Sequence, residues 1–374
     1  MKQSNIGLAA VATVAIAVVL LFSWSVQDEP PSAEGFVTCL DSGDYEGAYR
    51  MLSGPAREAI GSPEALGADY TATVSALEAA LGPYAGLTDV TGTVPYQGGD
   101  MDYVVAAFAY SGVMMAVATD GDGMVQGLTT IACDLPSEAD VPEDVTEVPV
   151  EVVTGDRMPL RGMLSYGDVS DRRVAVVLVP GSGSHGMNCA IGGNQIFQQI
   201  AWGLNSHGVD VLRYDQRTYT DPFGVDLGTA PFDIGYEVVD DAISAGRLLR
   251  DMGYERVYLV GHSQGAMMAP SIMAESDGVF DGLVSMAGSP RDISQIQYDQ
   301  NMDLISQVPP GPERDIMQQM VDAEYAKYLG IRDIPESEIH SVQVFGLPAY
   351  YVLSMMDRDN AGAALASDLP MLFI

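Results

Sequence analysis

The residues best suited to chemistry are Gly261-His262-Ser263-Gln264-Gly265. A chain this rich in glycine would carry roughly 0.3 such G-x-S-x-G pentapeptides by chance, so the pattern alone says little. Its surroundings say more. "YLVGHSQGAMMA" reads as a buried strand, a sharp turn and the start of a helix, the setting that presents a serine hydroxyl as a nucleophile. The turn forces the serine into a strained backbone conformation, and Gly261 and Gly265 supply the small neighbours it needs. The competing account is a structural serine in a turn. An acyl-transfer serine also needs backbone donors aimed at the oxygen that gains charge. The Gln264 amide follows the serine, and the loop Pro180 to Gly186 follows an earlier apolar run, so Ser182 is taken as the second donor. That loop fits neither G-x-x-x-x-G-K-[ST] nor G-x-G-x-x-G, which argues against phosphate binding.

The elements that would position these residues alternate between strand and helix. Val148 to Val153 and Leu160 to Tyr166 suggest a leading antiparallel pair, and Val174 to Val179 is an apolar run fit for a strand buried on both faces. A helix over Asn194 to His207, a strand over Val209 to Tyr214, a helix with Val238, Ala242, Ala245 and Leu249 on one face, and a strand over Val257 to Val260 continue the pattern. A helix over Met267 to Glu275 and a strand over Gly282 to Ala287 complete it. The fold class is α/β, a mostly parallel doubly wound sheet. The stretch of about 290–368 is helical in pattern and reads as a cap. Its Met317, Met320, Tyr325, Tyr328, Phe345, Tyr350, Tyr351, Met355 and Met356 could line an acyl pocket or simply fill the cap core.

Ahead of this unit, Phe36, Leu40, Ala48 and Leu52 recur at helix-like intervals and Pro63 to Leu81 is a second helical stretch. Tyr103 to Tyr110, Val113 to Thr119 and Met124 to Cys133 are β-rich, so 35–134 forms a small α+β domain. The acidic stretch 135–147 reads as a linker, leaving 148–374 as the second domain.

The blocks "VLVPGSGSHGMNCAIGGNQIFQQIAWGLNSHGVDVLRYDQRT", "EVVDDAISAGRLL", "VYLVGHSQGAMMAP" and "LVSMAGSPRD" resemble the α/β-hydrolase esterases of the serine aminopeptidase-like group. Residues 35–134, chiefly "DSGDYEGAYRMLS", resemble a small cystatin-like domain of unknown function found ahead of such hydrolases. The resemblance implies carboxylic ester hydrolysis through an acyl-serine, with Ser263 as nucleophile and Gln264 and Ser182 as oxyanion amides. Pro180 stands where the family usually has histidine. The family order of serine, acid and then base implies an acid after the next-to-last strand, which Leu369 to Ile374 resembles. The domain is therefore expected to lack its final strand and helix, and with them the acid and base. Of the four histidines, His262 should point away from the serine, His207 closes a helix, His185 lies in the oxyanion loop and His340 in the cap. Asp292 is an alternative acid position.

Ile6 to Trp24 is an uncharged apolar run approaching the roughly 20 residues that span a bilayer, so 1–26 is expected to be a signal-anchor, with the rest extracytoplasmic, or secreted if the segment is cleaved. Net charge is −34, from 51 acidic against 17 basic residues, which disfavours nucleic acid as a partner. Cys39, Cys133 and Cys189 make no zinc pattern, and no metal or cofactor is expected. Cys39 and Cys133 could pair outside the membrane or stay apart as small buried residues. The expected partner is a small-molecule ester, met by a monomer. The alternatives are an aminopeptidase-like hydrolase and a non-catalytic binding protein.

Overall fold

The computed structural model describes residues 32–374 apart from 97–98, 136–138, 192–193 and 225–231. The expected membrane segment lies outside the described residues. Among those described, no helix is long and apolar enough to cross a membrane.

The chain divides into two compact units, the first built mainly from residues up to 138. Among the described residues its helices are α1 (Ala33–Asp41), α2 (Tyr45–Met51), α3 (Gly54–Ile60) and α4 (Pro63–Leu81). Each begins where a short polar side chain accepts a free amide of the first turn: Ser32 from Gly35, Asp44 from Gly47, Ser53 from Ala56 and Ser62 from Ala65. Strands β1 (Tyr84–Tyr96), β2 (Gly99–Phe108), β3 (Gly112–Thr119) and β4 (Val125–Cys133) form an antiparallel sheet in that order. Phe36, Leu40, Leu52, Phe108 and Met115 form its core. Strand β1 was not anticipated; Gly86, Gly92 and Pro95 weaken its pattern and suit the sheet edge it occupies. Both thiols considered for pairing are free. Cys39 faces Asp44, whereas Cys133 sits opposite Gly112 at the end of β4.

The second unit holds a seven-stranded sheet. Its first strands are β5 (Val145–Val153), β6 (Pro159–Gly167) and β7 (Val174–Val179). After two short strands counted with the first unit, β8 (Ala190–Ile191) and β9 (Asn194–Gln195), come α5 (Ile196–Asn205), β10 (Asp210–Tyr214) and α6 (Arg217–Thr220). A π-helical turn, Gly235–Val239, leads into α7 (Asp240–Asp251), and β11 (Arg256–His262), α8 (Gln264–Glu275) and β12 (Leu283–Met286) follow. The segment between β12 and β15, called the cap below for the reading given above, contains α9 (Ile293–Ser306), α10 (Pro312–Leu329), a minimal hairpin of β13 (Gln343–Val344) and β14 (Leu347–Pro348), α11 (Ala349–Met356) and α12 (Asn360–Ala366). Strand β15 (Met371–Phe373) returns to the sheet beside β12.

The sheet order is β15-β12-β11-β7-β10-β6-β5, antiparallel at the β5, β6 and β10 edge and parallel elsewhere. The mostly parallel sheet and the antiparallel leading pair therefore match expectation. Val177, Val179, Leu212, Val257 and Leu259 are fully or almost fully buried, as continuous apolar strands between helical layers require.

The acidic stretch read as a linker already belongs to the sheet at its end, because β5 opens at Val145. Glu147 on that strand ion-pairs with Arg213, whose side chain is 1% exposed, and accepts the Trp202 indole N–H at 2.8 Å. Arg213 also donates to Asn188 Oδ1 at 2.5 Å. Glu147→Ala should strand the buried guanidinium and cost about 3–5 kcal/mol of stability, read from denaturant unfolding followed by Trp202 fluorescence. An unchanged midpoint would refute this role.

Candidate active site

Ser263 is the hinge between β11 and α8, at φ 51° and ψ −115°. This is a left-handed backbone for a residue with a Cβ, of the sort that persists only where surrounding contacts dictate it. The Ser263 amide donates to Met286 O of β12 at 2.9 Å, and its carbonyl accepts from Met267 N at 2.9 Å. A Cβ on Gly261 would lie 2.5 Å from Gly265 O, and one on Gly265 would lie 2.4 Å from Pro180 O. The turn is thus too tight for any other residue at either place. Pro270 inside α8 leaves the Ala266 carbonyl without its helical donor, and Ser285 Oγ of β12 supplies one at 3.4 Å.

The loop after β7 lies directly over this turn, since a Cβ on Gly181 would come within 3.1 Å of Ser263 Cβ. Ser182 follows, exposed, and no described group accepts its amide proton. Gln264 opens α8, so its amide has no carbonyl one turn back within the helix. The structure therefore brings the Ser263 turn and both expected amide donors into one neighbourhood.

Two residues that sequence reasoning missed hold the loop in place. Buried Gln216, just after β10, accepts the His185 amide at 2.8 Å, donates to Gly181 O at 3.4 Å and sends its own amide to His185 O at 3.0 Å. Its neighbour Asp215 accepts the Met187 amide at 2.7 Å and pairs with Arg161 at 2.8 Å. The signal was two polar residues directly after a fully buried strand, inside "LRYDQRT".

Among the described residues no histidine hydrogen-bonds Ser263. The His185 ring is 3.0 Å from Ser182 O, and burial lowers its pKa, with the neighbouring His262 adding to the effect. His262 Nδ1 is buried with no hydrogen-bond partner among the described residues, and burial lowers its pKa too. His207 binds Ser206 Oγ and Gly203 O on the surface, and His340 packs on Tyr350 at 4.3 Å between ring centroids. The Asp292 carboxylate is occupied by the Tyr328 hydroxyl at 2.6 Å.

The cap residues offered as pocket lining or cap core do not all behave alike. Tyr328, Tyr351 and Met355 are buried core, whereas Met317 and Met320 are exposed on α10. A cavity of about 100 Å³ does lie between α8 and the cap, and Met355 and Met356 help to line it, but Ser263 does not. The Gln264 carboxamide points into the cap, donating to Tyr351 Oη at 3.3 Å and Met355 Sδ at 3.2 Å. Tyr351 in turn donates to Glu237, which also accepts from Thr218 Oγ1 at 3.3 Å.

Burial pushes the Glu237 carboxyl up to about 7, against the Tyr351 hydrogen bond; Asp241 adds to the rise, while Thr218 and Arg217 oppose it. The unfolded chain ionises this group near 4.5, so the folded state keeps the proton longer. Its contribution to stability is complete below that value and is lost as pH rises through about 7. Wild type should therefore weaken relative to Glu237→Gln by up to about 3 kcal/mol between pH 4.5 and 8, measured as paired unfolding midpoints. A pH-independent difference would refute it. Gly265→Ala should displace the β7 loop, lower stability by roughly 1–3 kcal/mol or more, and abolish any reaction at Ser263, checked by melting temperature and active-site labelling.

The family model described as "Alpha/beta hydrolase family" matches residues 176–370. Esterase EstD of Thermotoga maritima is 35% identical over 264 residues, covering 69% of this chain. The chain spans 59% of the length of that relative. Among solved structures, an esterase of Pyrococcus furiosus is similar at 17% identity with a TM-score of 0.36, covering 61% of this chain and 69% of that one. Brefeldin A esterase, described as a bacterial homologue of human hormone sensitive lipase, is similar at 16% identity and TM-score 0.36, covering 65% and 70%. With the family model matching more than half of its residues, the chain belongs to the alpha/beta hydrolase family.

Proposed function

We propose that this protein is a serine hydrolase of carboxylic esters, acting through an acyl-serine at Ser263. The observation that carries the proposal is the Ser263 turn itself: a serine at φ 51° between strand and helix, with Gly181 of the loop after β7 packed against it. Ser263 Oγ attacks the ester carbonyl and gives its proton to a general base. The carbonyl oxygen becomes an oxyanion, accepting hydrogen bonds from the amides of Gln264 and Ser182. The positive end of the α8 dipole acts in the same direction. Collapse expels the alcohol, which takes up the proton, and water then releases the acid from Ser263. The esterase name of the Thermotoga maritima relative supports this reaction class. Small or medium acyl groups are the proposed substrates.

A second reading, a protein that binds without catalysis, is favoured by one observation: none of the histidines among the described residues hydrogen-bonds Ser263. Serine without its base loses roughly 10⁴ to 10⁶ in turnover. The proposal extends to an extracytoplasmic protein, membrane-anchored or, if the segment is cleaved, secreted, supported by the uncharged run from Ile6 to Trp24.

The full-length protein should be labelled by a fluorophosphonate and should cleave aryl esters, and Ser263→Ala should lose both. Labelling that survives Ser263→Ala would assign the nucleophile elsewhere. A folded wild type that neither labels nor cleaves would favour the binding protein, and release of amino-acid anilides over aryl esters would favour the aminopeptidase-like hydrolase.

A further inference from the structure

The buried chain running from Gln264 through Tyr351 to Glu237 joins three separate elements. Gln264 opens α8 directly after Ser263, Tyr351 lies on cap helix α11, and Glu237 lies in the π-helical turn before α7. All three side chains are withdrawn from solvent, with Gln264 2%, Tyr351 4% and Glu237 8% exposed. The hydroxyl of Tyr351 uses both of its capacities here, accepting from Gln264 Nε2 and donating to Glu237 Oε2. Met355, one helical turn further along α11, takes the other proton of the same carboxamide on its sulfur. The turn that carries Glu237 is itself tied to α11: the Ile234 amide donates to Ser354 Oγ at 3.1 Å, and Phe232 stacks on Tyr351 at 5.8 Å.

Burying a carboxyl, a phenol and a carboxamide is unfavourable unless each is satisfied. Among the described residues Glu237 makes no ion pair, because the nearby Arg217 guanidinium is taken up by Asp241 and Asp156. A bundle filled only by apolar side chains would have avoided that penalty. π-helical turns also concentrate at functional sites.

We propose that Tyr351, backed by Glu237, is a positioning residue: it holds the Gln264 carboxamide, and through it fixes the cap against the elbow and keeps the Gln264 backbone amide aimed at the oxygen that gains charge. The proposal rests on Ser263 being the nucleophile. It assigns to the cap a role in the geometry of the reaction.

The test follows Tyr351→Phe, Glu237→Gln and Glu237→Leu in the full-length protein by two readouts. One is fluorophosphonate labelling, resolved into the half-saturating concentration and the limiting first-order rate. The other is hydrogen–deuterium exchange of the amides from Gln264 to Met267. Tyr351→Phe keeps the ring and its stacking, and should slow the limiting rate roughly tenfold to a hundredfold with half-saturation unchanged, while exchange at the elbow accelerates. Glu237→Leu should reproduce both effects. Glu237→Gln, whose carbonyl accepts the same hydrogen bond, should retain wild-type behaviour. Wild-type rates and exchange in Tyr351→Phe would overturn the proposal, as would equal losses in both Glu237 variants. A wild type that does not label would refute the nucleophile assignment alone, and the exchange readout would still decide the positioning role. Should Tyr351→Phe fail to fold, the pair of Glu237 variants decides it.

Discussion

The backbone of Ser263 is the constraint on which the rest of the second unit depends. A residue with a Cβ held at φ 51° stores of the order of 1–3 kcal/mol, and it keeps that conformation only because its neighbours leave no other. Gly261, Gly265 and Gly181 make the close approaches possible, and β12 fixes the turn from the side by accepting the Ser263 amide. Because β12, β11 and β7 are adjacent in the sheet, the strain is lodged in its rigid interior, where strands are buried on both faces. Even the proline in α8 is accommodated by the same strand through Ser285.

Two members of a scarce supply of cations are buried in this unit, where they tie loops to the sheet. The chain carries 51 acidic residues against 17 basic ones, yet two arginines are almost wholly buried. Arg213 ties β10 to Glu147 of β5 and to Asn188 in the loop after β7. Arg217 joins Asp241 of α7 to Asp156 and lies against the Tyr236 ring at 3.7 Å. Guanidinium groups suit this use because one planar fork can satisfy two carboxylates. Most of the other acidic residues lie on the solvated surface, with Asp210, Asp215 and Glu237 buried exceptions.

What was legible in the sequence followed from short-range pattern. The apolar run Val174 to Val179, the glycines around Ser263 and the face made by Val238, Ala242, Ala245 and Leu249 each announce their element through neighbours a few positions away. The Pro63 to Leu81 helix was legible to its boundaries, since Ser62 caps it and Gly82 ends it. What was not legible depended on residues far apart. Asp215 and Gln216 gain their importance from a loop some thirty positions earlier, and Glu237 gains its own from a tyrosine 114 residues later. The inner and outer faces of α10 could not be told apart either, because methionine appears on whichever side the cap leaves it.

The placement of the cap also sets how far apart in sequence two neighbouring strands lie. Residues 287–370 intervene between β12 and β15, although the two strands end up side by side. Strands β11 and β12 are joined by little more than α8, so they and the turn at Ser263 can assemble through local contacts. Closing the longer excursion must bear a greater loss of chain entropy before β15 returns any contact. Non-local parallel pairing of this kind is intrinsically slow. The pairing of β12 with β15 therefore carries a larger closure cost than the pairing of β11 with β12 that flanks the elbow.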